Sequence, residues 1–294
     1  MSRAVTVSFE FFPPGDAAAA TQLWESVRRL APLRPAFVSV TDGADGSSRS
    51  RTPDCVRRIR RETGLIVAPH LTCVGTTRDA ALRLAQDYWQ DGIRHLVALR
   101  GDIPAAEPAR AGARATEAQR FAFAADLVRG LGGVAPFDIA VAAYPEGHPE
   151  TGTVGADIVN LRRKIDAGAN RAITQFCFDT DTFLRYRDRC RAAGIEAPIV
   201  PGILPVTRFG QLLRFAVRCG AKVPDWLHDR FDGLDDDPDT RRLVAAHVAI
   251  EQVERLRHHG IDEFHFYTLN RAELTYAICH AMGLRGSAAE VRVA

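Results

Sequence analysis

The fold of this chain is decided by Val5-Thr-Val-Ser-Phe-Glu-Phe-Phe-Pro-Pro14, an apolar run of β-branched and aromatic residues that two prolines bring to an end. This composition predicts a buried β-strand, because such side chains pack well on a pleated surface and proline cannot donate to a strand ladder. One acid, Glu10, lies inside the run. A buried strand normally excludes charge, so this carboxylate is either paired at the surface or held in a pocket for proton chemistry, and the stretch alone leaves both open.

Outward from this strand, the chain repeats a strand followed by a helix. The predicted strands are Val5–Pro14, Ala36–Asp42, Ile66–Val74, Arg94–Asp102, Phe137–Pro145, Arg171–Asp179, Pro198–Pro205 and Glu263–Asn270. The predicted helices that follow them are Asp16–Leu30, Pro53–Thr63, Arg78–Gln90, Thr116–Leu131, Val154–Ala167, Asp181–Ala193, Arg208–Cys219 and Ala272–Met282. Two further helices, Pro224–Leu234 and Asp239–His259, precede the last strand.

Most of these units recur at roughly 25–40 residues, which is the period of βαβ units. We therefore predict an α/β fold, a single (β/α)8 TIM barrel over residues 1–294 with an extra helical segment between strands 7 and 8. The alternative is an open doubly wound sheet, which would bind a dinucleotide through a glycine-rich turn after its first strand. That turn is Pro13-Pro14-Gly15-Asp16 here, and the chain contains no Gly-x-Gly-x-x-Gly.

Composition limits the partners and the compartment. Lysine and arginine number 38 against 36 acids, so the net charge of +2 predicts binding to neither nucleic acid nor an anionic membrane. The six cysteines are scattered without a Cys-x-x-Cys pair, which argues against a disulfide framework or a zinc ribbon and favours a reducing cytoplasm. No run of about 18 apolar residues and no leader pattern occurs. Exposed apolar helix faces favour a homo-oligomer.

Polar residues collect at the predicted C-terminal ends of the strands, where barrel enzymes have their active sites. They are Glu10, Thr41, Asp42, His70, Thr72, Arg100, Gly101, Asp102, Tyr144, Glu146, His148, Gln175, Tyr267, Asn270 and Arg271. Each of them alone could be a cap or a loop anchor. Their clustering is more informative and predicts a site at this end of the barrel.

The residue types at these ends argue against two kinds of chemistry. His70 and His148 are well separated, no His-x-His follows the first strand and His265 lies early in its strand, so we expect no metal site. A nucleophilic serine would need a Gly-x-Ser-x-Gly turn, which is missing. Acid–base or cofactor chemistry remains. Lys164, one of only two lysines, is either a phosphate contact or a solvated helix residue.

Several motifs together resemble methylenetetrahydrofolate reductase. They are Phe9–Pro14, Pro69–Thr72, Leu99–Asp102, Ala143–Pro149, Asp166–Phe176, Pro201–Pro205 and Phe266–Glu273, and the likeness runs nearly end to end. The chain is similar to the short bacterial form, which has no regulatory domain. The resemblance implies the flavin-dependent reduction of 5,10-methylenetetrahydrofolate to 5-methyltetrahydrofolate by NADH or NADPH, and the sequence does not decide between these two donors.

The resemblance also implies a role for individual residues. FAD would contact Thr41, His70, Arg100, Gly101, Asp102, Ala124, Tyr144, His148, Asp157, Asn160 and Lys164, and folate and nicotinamide would share its exposed face. Glu10 would be the general acid that helps open the folate ring, and Asp102 would lie near the pterin and the flavin. Gln175 and Gln211 would orient substrate, Phe215 would stack on it and Arg271 would meet the folate tail. An acid active near neutral pH works best in apolar surroundings, which Phe9, Phe11 and Phe12 could supply.

Three features depart from the bacterial relatives. Asp42 and Phe123 each replace a tyrosine, and the loop Ile103–Glu117 is longer. We expect these changes to affect flavin affinity more than reaction type. Two other functions stay open from the sequence, a metal-dependent barrel lyase or hydrolase and a barrel that only binds pterin.

Overall fold

The strands of the chain form one sheet that closes on itself. The computed structural model describes residues 4–42, 50–101 and 119–286. Its strands are β1 (Thr6–Phe11), β2 (Val38–Val40), β3 (Val67–Thr72), β4 (His95–Leu99), β5 (Asp138–Ala143), β6 (Arg171–Thr174), β7 (Ile199–Val200), β8 (Gly202–Ile203) and β9 (Glu263–Tyr267). Each pairs in parallel with its neighbours in the order β7-β6-β5-β4-β3-β2-β1-β9-β8.

The barrel closes at the seventh predicted strand, which is interrupted at Pro201. β7 pairs with β6 and β8 pairs with β9, so the two pieces join the edges of the sheet. Proline has no N–H group and cannot continue the ladder as a donor, whereas its carbonyl oxygen accepts a hydrogen bond from His265 N (3.0 Å). The predicted TIM barrel is confirmed, with its seventh strand split into two short pieces.

Helices cover the outside of the sheet. They are α1 (Ala17–Leu30), α2 (Thr52–Thr63), α3 (Arg78–Gln90), α4 (Ala124–Gly132), α5 (Val154–Asp166), α6 (Thr180–Ala192), α7 (Phe209–Cys219), α8 (Asp225–Phe231), α9 (Pro238–His258) and α10 (Glu273–Ala281). Local capping fixes several of these ends. The Asp16 carboxylate accepts from Ala19 N (2.8 Å) at the start of α1, and Gly64 ends α2 with a φ of 67°. α8 and α9 form the predicted extra segment between β8 and β9.

The largest difference from the predicted elements is the start of α4. The predicted helix begins at Thr116, which lies outside the described residues, but the observed helix begins at Ala124. Asp126 Oδ2 accepts a hydrogen bond from Phe123 N (3.2 Å) and so caps the N-terminus of the helix at this point. The prediction was wrong here because the alanines before Phe123 have a high helix propensity that tertiary structure overrides.

Side chains along β1 point alternately into the hydrophobic layer under the helices and into the interior of the barrel. Phe9 and Phe11 are buried and pack with Leu23 and Val27 of α1 in the layer between sheet and helices. Successive side chains on a strand point to opposite faces. Glu10 therefore points into the barrel, where its carboxylate meets side chains from neighbouring strands.

The opposite, N-terminal end of the barrel is filled by a charged cluster. Arg171 pairs with Asp138 Oδ2 (3.2 Å) and Glu263 Oε1 (3.3 Å), and its guanidinium lies 5.8 Å from the centre of the Phe37 ring. These contacts join β5, β6 and β9 at the floor of the barrel. Within the described ranges, the helices are too short or too polar to span a lipid bilayer.

Candidate active site

A cavity of about 780 Å³ opens at the C-terminal ends of the strands. Its walls include most of the residues that the sequence predicts for a site, namely Glu10, Thr41, Asp42, His70, Thr72, Arg100, Gly101, Ala124, Tyr144, His148, Asp157, Asn160, Lys164, Gln175, Phe215 and Tyr267. Gln211 and Arg271 are exposed and do not line it. Asp102 and the loop 103–117 lie outside the described residues.

Two imidazoles flank the Glu10 carboxyl. Glu10 Oε2 lies 3.5 Å from His70 Nε2 and 3.8 Å from His265 Nε2. His265 Nδ1 is in turn 2.7 Å from Ser8 Oγ, its neighbour in the register of β1 and β9. The expected frame of Phe9, Phe11 and Phe12 is wrong, because Phe9 and Phe11 pack in the helix layer, Phe12 is exposed and none of the three lines the cavity. The partners of Glu10 are therefore groups that can exchange protons.

His70 is buried and its ring is neutral at neutral pH. Burial lowers the pKa of His70 to about 4, because charging the ring would cost solvation; the Glu10 carboxylate opposes this shift and His265 adds to it. His70 Nε2 has no hydrogen-bond partner among the described residues. A buried polar atom is normally satisfied, so this ring nitrogen, which has only the 3.5 Å contact with Glu10 Oε2, can accept a further partner in the cavity.

A salt bridge crosses another part of the cavity wall. Arg100, which follows β4, places Nη2 2.5 Å from Glu150 Oε1 of the β5–α5 loop. The hydrogen bond from Arg100 lowers the pKa of Glu150 below its usual range. Gly101 comes next with a φ of 83°, a backbone conformation that disfavours a residue with a side chain. The chain turns sharply here, directly after a predicted site residue.

The β5–α5 loop is held in shape by Asp157. Its Oδ2 accepts hydrogen bonds from His148 N (2.5 Å) and Thr151 Oγ1 (2.9 Å), and the side chain is buried. The Tyr144 and His148 rings meet edge to face, with centroids 4.7 Å apart. Asp157, in the first turn of α5, therefore supports the cavity wall through its contacts with the backbone and a hydroxyl of the β5–α5 loop.

Lys164 points inward from α5 and is not a solvated helix residue. Its Nζ donates to the carbonyl oxygen of Ala142 on β5 (2.5 Å) and lies 6.0 Å from the centre of the Tyr144 ring. Burial lowers the pKa of Lys164 to about 8, and the Asp157 carboxylate opposes the shift. The cavity thus has an ammonium group that carries most of its charge at neutral pH.

Asp42 and Phe123, the two positions where a departure from the relatives is expected, both line the cavity. Asp42 is buried at the end of β2, and its Oδ2 accepts a hydrogen bond from Thr72 Oγ1 (3.0 Å). Phe123 precedes α4 and is 62% exposed at the edge of the cavity. Asp42 thus makes a polar contact with the neighbouring strand, whereas Phe123 presents an apolar ring at the surface.

Gln175, Phe215 and Tyr267 form an adjoining wall. Gln175 Oε1 accepts from Phe176 N (3.1 Å). The Phe215 ring stacks on the Phe176 ring at 5.5 Å with planes 17° apart. Tyr267 donates its hydroxyl to the carbonyl oxygen of Thr174 (2.8 Å), and burial raises the pKa of that phenol well above its usual value. The wall combines flat aromatic surface with an amide, which suits a planar ligand.

Comparison with known proteins identifies the family. The sequence model described as methylenetetrahydrofolate reductase matches residues 1–283. The chain belongs to the methylenetetrahydrofolate reductase family. The predicted resemblance is therefore confirmed, and membership favours the reductase over the lyase, hydrolase and pterin-binding alternatives.

Similar methylenetetrahydrofolate reductases come from bacteria and a plant. The chain is 53% identical to the enzyme of Pectobacterium carotovorum over 281 residues, which cover 96% of this chain and 91% of that one. It is 52% identical to the Escherichia coli enzyme, with 96% and 92% covered. It is 33% identical to Arabidopsis thaliana methylenetetrahydrofolate reductase (NADH) 1, with 94% of this chain and 48% of that one covered.

A distant solved structure shares the barrel. An uncharacterised Clostridium thermocellum protein that binds two copies of 5-methyl-5,6,7,8-tetrahydrofolic acid superposes with a TM-score of 0.62, covering 95% of both chains at 14% identity. At this identity the likeness concerns the fold alone.

The cavity also includes residues that the sequence did not indicate. His265, Glu150, Thr151, Arg163, Arg129 and Arg218 also line the cavity. His265 could have been found from the strand period, since it lies two residues before Tyr267 and so points to the same side of the strand. The others lie on loops and helices, where no strand period indicates their direction.

Proposed function

We propose that this methylenetetrahydrofolate reductase uses bound FAD and a nicotinamide donor, NADH or NADPH, and that Glu10 is the general acid. The observation that carries the proposal is the position of the Glu10 carboxyl, which lines the cavity at the strand ends within 3.5 Å of His70 Nε2 and 3.8 Å of His265 Nε2. A carboxyl with neighbours that can exchange protons suits proton delivery to a substrate in the cavity.

The cavity fits a flavin dinucleotide in size and in the chemistry of its walls. Its volume of about 780 Å³ lies in the range of cofactor sites. Lys164 and Arg100 supply positive charge for phosphates, and the free His70 Nε2 offers a polar atom to the ring system. We propose that FAD is held by Thr41, His70, Arg100, Gly101, Asp102, Ala124, Tyr144, His148, Asp157, Asn160 and Lys164. When bound, FAD supplies hydride transfer between nicotinamide and folate.

The contribution of Glu10 is a proton. Reduction of methylenetetrahydrofolate requires that a carbon–nitrogen bond of its five-membered ring opens, and the departing nitrogen must be protonated. Glu10 delivers this proton from its carboxyl. His70 is neutral at neutral pH because burial lowers its pKa to about 4, so it contacts Glu10 as a ring nitrogen without adding a positive charge.

The remaining predicted residues act on the substrate. Gln175 has both an amide donor and an acceptor for the polar edge of a pterin or nicotinamide ring, and Phe215 offers a ring face beside it. We propose Asp102 as a further catalytic group near the pterin. Gln211 and Arg271, which lie away from the cavity walls, remain proposed substrate contacts for parts of the folate that extend outside it.

We also propose that the chain acts as one catalytic domain over residues 1–294, in the cytoplasm and as a homo-oligomer. Exposed apolar side chains support association, since Val217 is 82% and Leu243 is 73% exposed. Size-exclusion chromatography with light scattering measures the oligomeric state, and a monomer at micromolar concentration would contradict this part of the proposal.

The experiment that tests the function separates the two half-reactions in Glu10→Gln. This change removes the acid and keeps the size of the side chain. Purified wild type and variant should both show the visible absorption of bound flavin, and NADH should reduce both at similar rates. Reoxidation by methylenetetrahydrofolate should slow by at least roughly a hundredfold in the variant, the usual effect of a lost general acid. Anaerobic stopped-flow spectroscopy measures each rate.

Glu25→Gln is the matched control, because Glu25 is exposed on α1 and does not line the cavity. It should change neither half-reaction. If Glu10→Gln reoxidises at the wild-type rate, the proton comes from another group. A colourless protein that binds no added FAD would refute the flavin part of the proposal.

A further inference from the structure

We propose that Thr268 and Asn270, in the loop that follows β9, are positioning residues that hold Glu10 in place for proton transfer. This inference rests on the proposed function, because it takes Glu10 as the general acid. Thr268 and Asn270 are both buried, and neither lines the cavity. Their effect on the reaction therefore passes through the backbone of β1, without contact with a ligand.

The chain that follows Glu10 has few backbone donors of its own. Pro13 and Pro14 come directly after Phe12, and proline has no N–H group. The N–H group of Phe12 is therefore the last backbone donor before Gly15. Because the prolines cannot donate to a neighbouring strand, the end of β1 depends on partners from elsewhere in the chain to stay fixed.

The Asn270 side chain provides partners for both backbone groups of Phe12. Asn270 Oδ1 accepts a hydrogen bond from Phe12 N (3.0 Å), and Asn270 Nδ2 donates to Phe12 O (2.9 Å). A side-chain amide has both an acceptor and a donor group, so it can bind the two polar groups of one residue as a neighbouring strand would. These two hydrogen bonds continue the pairing of β1 with β9 beyond the ends of both strands.

The Thr268 hydroxyl fixes the backbone at Glu10 itself. Thr268 Oγ1 donates to Glu10 O (2.6 Å) and accepts a hydrogen bond from Asn270 N (3.1 Å). One hydroxyl thus joins the backbone of the acid to the residue that holds Phe12. Glu10 is therefore fixed at its own carbonyl oxygen and again two residues later.

The loop after β9 has a strained backbone. Leu269 and Asn270 have φ values of 49° and 53°, in the left-handed region that residues with a side chain rarely adopt. Such conformations persist where surrounding contacts fix them, and they collect at functional sites. Asn270 O also accepts hydrogen bonds from Gln22 Nε2 (3.1 Å) and Ser26 Oγ (2.7 Å) of α1. The strained loop is thus anchored to α1 on one side and to β1 on the other.

The position of Glu10 matters for only one of the two half-reactions. A general acid must come within hydrogen-bond distance of the atom that it protonates, and a misplacement of about 1 Å can slow a reaction by roughly a hundredfold. Reduction of the flavin by the nicotinamide needs no proton from Glu10, whereas opening of the folate ring does. Loosening the loop after β9 should therefore slow reoxidation of the flavin by folate and leave its reduction unchanged.

A contribution to the fold alone must be separated from this role. Asn170 provides the matched control, because it makes the same kind of contact at the N-terminal end of the barrel. Asn170 Oδ1 accepts a hydrogen bond from Ile139 N (2.8 Å), and Asn170 N donates to Ile139 O (2.8 Å). Asn170→Gly thus removes an amide contact with a strand backbone far from Glu10, and an effect on the fold alone would be shared by both asparagines.

The test follows each half-reaction of the flavin-loaded enzyme by anaerobic stopped-flow spectroscopy. Asn270→Gly removes the amide, while glycine adopts the left-handed conformation without steric cost. We expect this variant to be reduced by NADH at the wild-type rate and to be reoxidised by methylenetetrahydrofolate roughly ten- to a hundredfold more slowly. Thr268→Val, which loses the hydroxyl, should also slow reoxidation, whereas Thr268→Ser, which keeps it, should not. Asn170→Gly should change neither rate.

A double variant shows whether the effect passes through Glu10. Glu10→Gln has no acid to misplace, so adding Asn270→Gly to it should slow reoxidation no further. Two changes that remove the same contribution are not additive. If the two effects add instead, Asn270 acts independently of Glu10 and the inference is overturned.

The remaining outcomes separate this inference from the proposed function. If Asn270→Gly slows both half-reactions equally or loses its flavin, the loop only supports the fold and the inference is overturned. If Glu10→Gln slows reoxidation but Asn270→Gly and Thr268→Val do not, the inference fails while the proposed acid stands. If Glu10→Gln is reoxidised at the wild-type rate, the proposed acid itself fails. If Asn270→Gly does not fold, the comparison of Thr268→Val with Thr268→Ser decides.

Discussion

The buried imidazole of His70 should make the stability of the barrel depend on pH in a way that one substitution removes. Burial lowers the pKa of His70 to about 4 in the folded protein, against about 6.5 for an exposed histidine. As the pH falls below about 6.5, the unfolded chain takes up a proton that the folded protein does not. Stability from this group is therefore complete above pH 6.5 and is lost as the pH falls towards 4.

The size of this loss follows from the shift. Each pKa unit corresponds to about 1.4 kcal/mol. Between pH 7.5 and pH 4.5, the His70 imidazole should lower the free energy of unfolding by about 2.5 kcal/mol. The side chain is buried, so solvent screening does not reduce this value. His70→Asn removes the titrating ring and keeps a polar side chain, so the variant should lose about 2.5 kcal/mol less than the wild type over this interval.

Urea unfolding of the flavin-free protein, followed by the fluorescence of its three tryptophans, measures these free energies without a contribution from bound ligand. The comparison uses the difference between the two pH values within each protein, so any constant cost of the substitution cancels. His247→Asn is the control for loss of an imidazole, because the His247 side chain is 63% exposed on α9. If wild type and His70→Asn lose the same free energy between the two pH values, the argument from burial is refuted.

Three further predictions concern the affinity for the cofactor, the packing around Gly202 of β8 and the turnover of the substrate. Burial lowers the pKa of Lys164 to about 8, so the affinity for FAD should fall between about pH 7 and 9 as the ammonium loses its charge. Lys164→Arg should flatten this fall, measured by fluorescence titration. If the affinities of wild type and variant fall in parallel with pH, Lys164 is not a phosphate contact. A Cβ on Gly202 would overlap the carbonyl oxygen of Thr174. Gly202→Ala should therefore lower the free energy of unfolding by about 3 kcal/mol or prevent folding. Gly210→Ala, with nothing within 4 Å of its Cβ, should leave the thermal midpoint nearly unchanged, and equal midpoints in the two variants would contradict the packing argument. Gln175→Glu should slow both half-reactions while flavin stays bound, and unchanged stopped-flow rates would show that the residue only lines the barrel.

The architecture could be predicted from the sequence because it depends on local periodicity. Alternating apolar runs and amphipathic helices follow from backbone geometry within a few residues, and the predicted bounds Arg78–Gln90 are those of α3 in the structure. Strand-end positions could be predicted for the same reason. Glu10, His70 and Lys164 were all found from their place next to predicted strands and helices, or from motifs that resemble the family.

The neighbours of each side chain could not be predicted in this way. Glu10 meets His265 because β1 and β9 pair in parallel with Ser8 beside His265, a register between segments more than 250 residues apart along the chain. The same alternation turns Phe9 and Phe11 into the helix layer, although they are next to Glu10 in sequence.

Which arginines face the cavity was also decided by the tertiary structure. Arg218 lies in the last turn of a predicted helix and Arg271 next to a predicted strand end, yet of these two only Arg218 lines the cavity. α7 packs with its last turn against the β5–α5 loop, which brings Arg218 to the rim. The sequence determines where the chain forms strands and helices because those choices depend on near neighbours; the packing of distant segments decides which charged groups face the same ligand.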